Sequence, residues 1–445
     1  MQRIVAAVDK HRDLILEAER YVWKHPETGY KELETSRYME EQFIALGYEL
    51  KKPKDLTGFC TEIDTGKEGP TLLILGELDS IICPAHKDAN PTTGAVHSCG
   101  HNAQCAALLG IAAALKEEGI LEGLCGKIRL CAVPAEELLE IEYRSNLKAE
   151  GKIKYFGGKT EFLWRGMFDG VDLAFMIHMS TGSYAIRGGS VGCLAKRIIY
   201  RGKAAHAGGA PWDGRNALYA ASCGMNAANA LRETFREADL IRFHPIITSG
   251  GAMVNAIPEV VTMESYVRGR TYKAIIDANK RINRALVGAA ISLGVNVEIV
   301  DFPGYAPLED DQNLMRLGKE AYEMLDPEGA FGFSDYVGTG STDMGELSRL
   351  MPVLHGYAAG ARGTDHGNDY EIADPESACV KNAKWQLILL RLLLENGAAR
   401  AKEIVENYTP EFASKQEFFA FVDSLNDSGE RIEYAADGSA KARLE

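Results

Sequence analysis

Thr71-Leu72-Leu73-Ile74-Leu75-Gly76 is a continuous apolar run that stops abruptly at Glu77-Leu78-Asp79, two carboxylates. A strand with one wet face would alternate apolar and polar residues. An unbroken run of this length reads instead as a strand buried on both faces, as in a parallel sheet. Two similar runs follow. Lys127–Val133 ends in Pro134-Ala135-Glu136-Glu137, and Val171–Ile177 ends in His178. Helical segments separate the three, including the Ala/Leu-rich stretch after His101, so the pattern is βαβ. It predicts an α/β fold, a mostly parallel sheet with helices on both faces. Upstream, Ile4 to Leu46 has apolar residues at helical spacing, broken at His25-Pro26-Glu27-Thr28-Gly29, which predicts two helices joined by a turn.

Each of these strands delivers carboxylates or an imidazole at its carboxyl end, where open α/β sheets place their sites. Cys99, His101, Glu136, Glu137 and His178 could therefore converge on one rim. The stretch Val96-His97-Ser98-Cys99-Gly100-His101-Asn102 offers a thiol and two imidazoles, ligands that suit borderline cations such as zinc. Taken alone, it reads equally well as a buried cysteine beside a helix start. Three strands ending the same way favour a site.

The chain has 445 residues, 46% hydrophobic and 25% charged, enough for two domains of ordinary globular composition. A formal charge of −14 argues against binding to nucleic acid or to anionic membranes. Nine cysteines, scattered singly, fit reduced thiols better than a disulfide framework. No apolar run approaches a membrane span, and the first residues are too charged for a signal peptide. The expectation is a cytoplasmic protein.

From Cys193 the character changes. Strand-like segments at Cys193–Tyr200, Ile241–Thr248, Val260–Val267 and Val295–Asp301 alternate with helical ones at Arg215–Asp239 and Tyr272–Leu293. That order, β-α-β-β-α-β, predicts a ferredoxin-like α+β domain inserted at 189–303. The other domain would then comprise 1–188 and 304–445, the latter closing in a helical extension with a frayed end.

The motifs HPETGYKE from His25, GELD from Gly76, HSCGHN from His97, PAEE from Pro134 and IHM from Ile177 run in order. They are followed by GKAAHAG around His206, VNAIP around Asn255, YVRG around Arg268, GSTDMGELS from Gly340 and GTDHG around His366. With these the chain resembles the zinc-dependent aminoacylase/carboxypeptidase family of di-metal hydrolases, over roughly nine-tenths of its length. Within it, the amidohydrolase branch of hippurate, auxin-conjugate and p-aminobenzoyl-glutamate hydrolases is most similar, the B-subunit-like p-aminobenzoyl-glutamate enzymes above all.

The resemblance implies a di-zinc exopeptidase-like fold whose inserted domain serves as lid and dimerisation surface. It implies two divalent metal ions per subunit, zinc with manganese or cobalt as alternatives, and a homodimer or higher homo-oligomer. Cys99 would bridge the ions. His101 and Glu137 would complete one ion's ligands and His178 and His366 the other's, with which pair serves which ion left open. Glu136 would be the general base, Asp79 would orient His101, and His206 would reach into the partner's site. Asn255 and Arg268 would grip the carboxylate of a small N-acyl or N-aminobenzoyl amino acid, or of a dipeptide. General chemistry agrees: a metal pair activates water and polarises the carbonyl, and a carboxylate moves the proton.

Three other readings stand beside this one: a metal-free binding relative, a thiol hydrolase built on Cys99, and a purely structural metal. The chain also departs from the family pattern. Glu77 stands where relatives carry Asp or His, and Asn102 replaces a common Asp. Leu138–Phe156 intervenes where relatives place glycines directly after the paired glutamates.

Overall fold

A computed structural model describes residues 2–444. The chain divides into two compact units. The larger takes residues up to Gly189, Leu308–Gly338 and Thr342–Ala413; the smaller takes Ser190–Pro307, Thr339–Ser341 and residues from Ser414 on.

In chain order the principal strands begin with β1 (Phe59–Asp64), β2 (Thr71–Glu77), β3 (Lys127–Val133), β4 (Leu173–Met179) and β5 (Tyr184–Ile186). There follow β6 (Gly192–Arg201), β7 (Ile246–Ser249), β8 (Val260–Gly269) and β9 (Asn296–Pro303), then β10 (Phe331–Phe333), β11 (Val353–Ala358) and β12 (Asp427–Glu430).

The larger unit's sheet has seven strands in the order β1-β3-β2-β4-β11-β5-β10. The four central strands, β3, β2, β4 and β11, run parallel. All seven residues of β2 are buried, which is why its run is unbroken. The helix His101–Leu115 is buried on every side and packs against β2 and the helix Arg12–Trp23. It starts at Gly100, whose φ of +87° is the left-handed conformation that glycine adopts without penalty. The amino-terminal region forms three helices rather than two. Gln2–Lys10 and Arg12–Trp23 meet at a kink on His11, and Leu33–Ala45 follows the expected turn. The extra break is punctuated by neither glycine nor proline.

In the smaller unit β8 pairs antiparallel with β6, β6 with β9, and β7 lies beside β8. The helices Ala217–Asn229 and Tyr272–Ser292 bury their apolar faces against this sheet. The carboxyl-terminal segment, expected to extend the catalytic domain, clusters here instead. β12 adds to the edge of the sheet by pairing antiparallel with β9, and Ile432 is buried in this core. Backbone pairing at an open strand edge carries no side-chain pattern, so composition alone read this segment as a helical extension with a frayed end.

Candidate metal centre

The site forms at the carboxyl ends of β2, β3 and β4, all in the larger unit. Cys99, His101 and His178 offer ligand atoms that lie within 4.8 Å of one another, and so do Cys99, Glu137 and His366. Cys99 is common to both groups. Its Sγ lies 3.3 Å from His178 Nε2 and 3.3 Å from His366 Nε2, while His366 Nε2 is 3.2 Å from Glu137 Oε1. The geometry therefore groups His101 with His178 and Glu137 with His366, unlike the pairing taken from the resemblance. No spacing in the sequence could distinguish the two.

Backbone carbonyls set the tautomers of two histidines. His101 Nδ1–H donates to the Asp79 carbonyl at 2.8 Å, and His178 Nδ1–H to the Met179 carbonyl at 2.8 Å. Each leaves Nε2 as a lone pair directed into the cluster, as imidazole ligands are commonly held. The Asp79 carboxylate also lies 3.3 Å from His101 Nδ1, and its other oxygen accepts the Glu137 backbone N–H at 2.8 Å. Asp79 thus braces both donor groups. Buried His101 Nε2, 3.2 Å from Glu77 Oε2, and Glu137 Oε1, 3.2 Å from His366 Nε2, are in contact range of these groups but make no well-directed hydrogen bond. A thiolate, imidazoles and a carboxylate with orphaned lone pairs fit a pair of divalent cations of the zinc type.

The electrostatics follow from burial and crowding. Burial and Glu137 would raise the Cys99 thiol, but His178 and His101 outweigh them and bring it down to about 6. Glu137 and Cys99 raise His366 to about 11. Burial, with Glu77 and Glu137 nearby, pushes the Glu136 carboxyl well above its ordinary range. A third acidic group, Glu77 with His101 and Glu136, belongs to an ion network instead. Lys159, fully buried, pairs with Glu77 and lies 2.5 Å from Asp343, and Gln104 Nε2 donates to Glu77 at 2.8 Å. Its members come from the GELD and GSTDMGELS segments and from Gly157-Gly158-Lys159, whose shared purpose spacing does not reveal. Asn102 donates to buried Glu19 at 2.8 Å.

The turn that aims the paired glutamates is strained. Ala135 has φ +55°; its N–H donates to Glu32 Oε1 at 2.8 Å, and its carbonyl accepts from Gly158 N at 3.1 Å. A Cβ on Gly158 would run into the Pro134 carbonyl, which explains that glycine. The Leu138–Phe156 segment supplies a helix, Ile141–Ala149, carrying Arg144. Arg144 is buried and donates to the Glu137 carbonyl and, at 2.6 Å, to the Phe156 carbonyl. The segment thus grips the backbone of a candidate ligand.

The remaining sequence-derived residues lie in the smaller unit. His206 is exposed, and its Nδ1 accepts from Gly208 N at 3.1 Å and Gly209 N at 2.9 Å, leaving Nε2–H as a free donor. Asn255, also exposed, accepts at its carbonyl from Ala207 N at 2.9 Å, so the two loops adjoin. Arg268 donates to the Thr339 carbonyl at 3.2 Å and lies 5.5 Å from the Tyr266 ring centre.

The model of peptidase family M20/M25/M40 matches residues 75–391. The chain belongs to this family. It is 28% identical to the Xaa-Arg dipeptidase of Mus musculus over 394 residues, covering 85% of this chain and 84% of that one. It is 26% identical to the indole-3-acetyl-aspartic acid hydrolase of Enterobacter agglomerans, covering 62% of this chain and 71% of that one. A solved Bacillus subtilis structure, a dinuclear metal-binding peptidase of the M20 family, shares the fold at a TM-score of 0.64. There the identity is 20%, over 87% of this chain and 99% of that chain. The M20 protein described here is thus a hydrolase of peptide or amide bonds with candidate metal-binding residues. Among the described residues, no helix is long and apolar enough to cross a membrane, and all nine cysteines are free thiols.

Proposed function

We propose that this M20 hydrolase cleaves the amide bond of a small N-acyl or N-aminobenzoyl amino acid, or of a dipeptide, with two divalent ions held by Cys99, His101, His178, Glu137 and His366. The observation that supports this most is the single thiolate shared by two donor groups. Zinc suits the donors, with manganese or cobalt as alternatives. The ions would supply Lewis acidity to the scissile carbonyl and the attacking water. Glu136 takes the water's proton and passes it to the leaving nitrogen. Asp79 keeps His101 in the tautomer that presents Nε2.

In the same reading the smaller unit is a ferredoxin-like lid and dimerisation domain. Exposed Trp212, Tyr219, Ile246, Met253 and Val254 supply apolar surface for a second copy. His206 donates its Nε2–H to the developing oxyanion of the partner's substrate, and Asn255 and Arg268 hold the substrate's carboxylate.

A Cys99 thiol lowered to about 6, 3.3 Å from His178, is also what a nucleophilic thiol–imidazole pair would show. Chelation separates the readings. Metal-loaded protein should turn over N-acyl amino acids, lose activity with chelator and regain it with zinc or manganese. Cys99→Ala and His366→Ala should each lower metal content by elemental analysis. Activity that survives chelation, or full metal occupancy in both variants, overturns the metal-centre reading.

A further inference from the structure

Beside the metal centre the same sheet carries a polar cluster that this mechanism does not use. β11 sets Tyr357 opposite His178 of β4 and, on its other side, opposite Ala185 of β5. Cross-strand partners point to the same face, as do alternate residues of one strand. His178, Tyr357 and His355 therefore share a face, and one further step of the β5 register brings Arg187 opposite His355 on it. Side-chain contacts agree with that register. The Arg187 guanidinium lies 4.7 Å from the Tyr357 ring centre. His355 stacks on His178 at 5.7 Å and meets Tyr357 edge-on at 5.1 Å.

Two polar groups here lack partners. His355 is buried, and neither of its ring nitrogens has a hydrogen-bond partner. Arg187 is half-buried and, among the described residues, makes no ion pair or hydrogen bond. A guanidinium partly removed from water and braced on an aromatic face, with no anion of its own, is the arrangement that takes a ligand carboxylate in bidentate fashion. The Tyr357 phenol is raised by burial and Asp310, with Cys99 and Glu136 close enough to add to the effect, so this face borders the reacting groups.

We propose that Arg187, on its Tyr357 platform with His355 alongside, is a carboxylate-binding subsite for the side chain of an acidic amino acid whose acyl amide lies at the Cys99 donor groups. The length is suitable. Arg187, one residue past β5, and His178 lie two strand spacings apart, about 10 Å, and two residues apart along the strands, about 7 Å, so their Cα atoms are about 12 Å from each other. That separation favours a carboxylate on the side chain over one beside the scissile nitrogen. The inference rests on the amidohydrolase reading and narrows it to acylated glutamate or aspartate.

The experiment compares N-acetyl-glutamate with N-acetyl-glutamine, which differ only in that carboxylate, on metal-loaded wild type, Arg187→Ala and Arg187→Lys. Wild type should prefer the glutamate compound. Arg187→Ala should lower its kcat/KM by about 10–100-fold while leaving the glutamine compound within about twofold, and Arg187→Lys should fall between. Equal losses on both compounds, or a wild-type preference for the glutamine compound, would overturn the subsite. If wild type cleaves neither, the amidohydrolase reading fails on its own, and calorimetric titration with glutamate and glutamine then reads the subsite directly. Tighter glutamate binding that Arg187→Ala abolishes supports it; equal affinities overturn it.

Discussion

Replacing Arg144 by alanine tests whether the Leu138–Phe156 segment holds the metal centre together. The side chain is buried and gives charge-assisted hydrogen bonds to the carbonyls of Glu137 and Phe156. A hydrogen bond from a charged donor is worth roughly 1.5–3 kcal/mol. The Glu137 carbonyl keeps the Leu139 N–H at 2.8 Å, so its loss counts at the low end. With the Phe156 bond also taken at its low end, the sum is about 3 kcal/mol. At about 1.4 kcal/mol per tenfold, that allows at most a ~100-fold loss of affinity if the whole effect falls on the ligand backbone. Groups that orient metal ligands contribute about 10–100-fold in other proteins, in line with this figure. The assay is competitive metal titration against a chromogenic chelator, with limited proteolysis of the 138–156 segment alongside. Arg144→Ala should bind one equivalent of metal distinctly more weakly and be cut sooner, and Arg144→Lys should recover part of both. Unchanged affinity together with unchanged proteolysis would refute the clamp.

Glu136→Gln should fold and retain its metal yet lose about 10²–10⁴-fold in turnover, because only proton transfer is removed; near-wild-type turnover would move the base elsewhere. Glu32 is raised to about 8, by burial first and then by Asp79, although Thr57 and Ala135 donate to it. A carboxyl raised in the folded state gives stability that is present below its unfolded value near 4.5 and is lost as pH climbs towards 8. Unfolding free energies of wild type and Glu32→Gln should therefore diverge in favour of the variant from pH 5 to 8, and parallel curves would count against that assignment. Mixing inactive His206→Ala with inactive Glu136→Gln protein should restore part of the activity through heterodimers; mixtures that stay inactive while subunits exchange would show that each chain completes its own site.

Much of the larger unit was legible because the information was local. A strand buried on both faces must be apolar throughout, so β3 appeared in the sequence with the limits it has in the structure and β2 with the same start, the strand taking in Glu77 beyond the apolar run. β4 runs two residues further than expected, placing His178 inside the strand. Cys99, His101, Glu136, Glu137 and His178 were legible for a related reason, since each follows the end of such a run or opens the helix after it. Short strands in the smaller unit were less so: Ile241–Thr248 is split, and the helix expected over Arg215–Asp239 keeps only Ala217–Asn229.

What the sequence determined by itself was the parallel sheet, the identity of most candidate ligands and their common rim. Tertiary structure alone decided which candidate ligands stand together: His101 with His178, and Glu137 with His366, 229 positions further along the chain. It alone brought Lys159 between Glu77 and Asp343, Arg144 onto the Glu137 carbonyl and Arg187 over Tyr357. It also turned the carboxyl-terminal segment into an edge strand. The physical reason is common to all of these. Apolar periodicity records whether a residue faces water, a property of its own short segment. Register and strand order record which segments lie side by side, and those pairings are set by backbone hydrogen bonds and packing between stretches that share no local pattern.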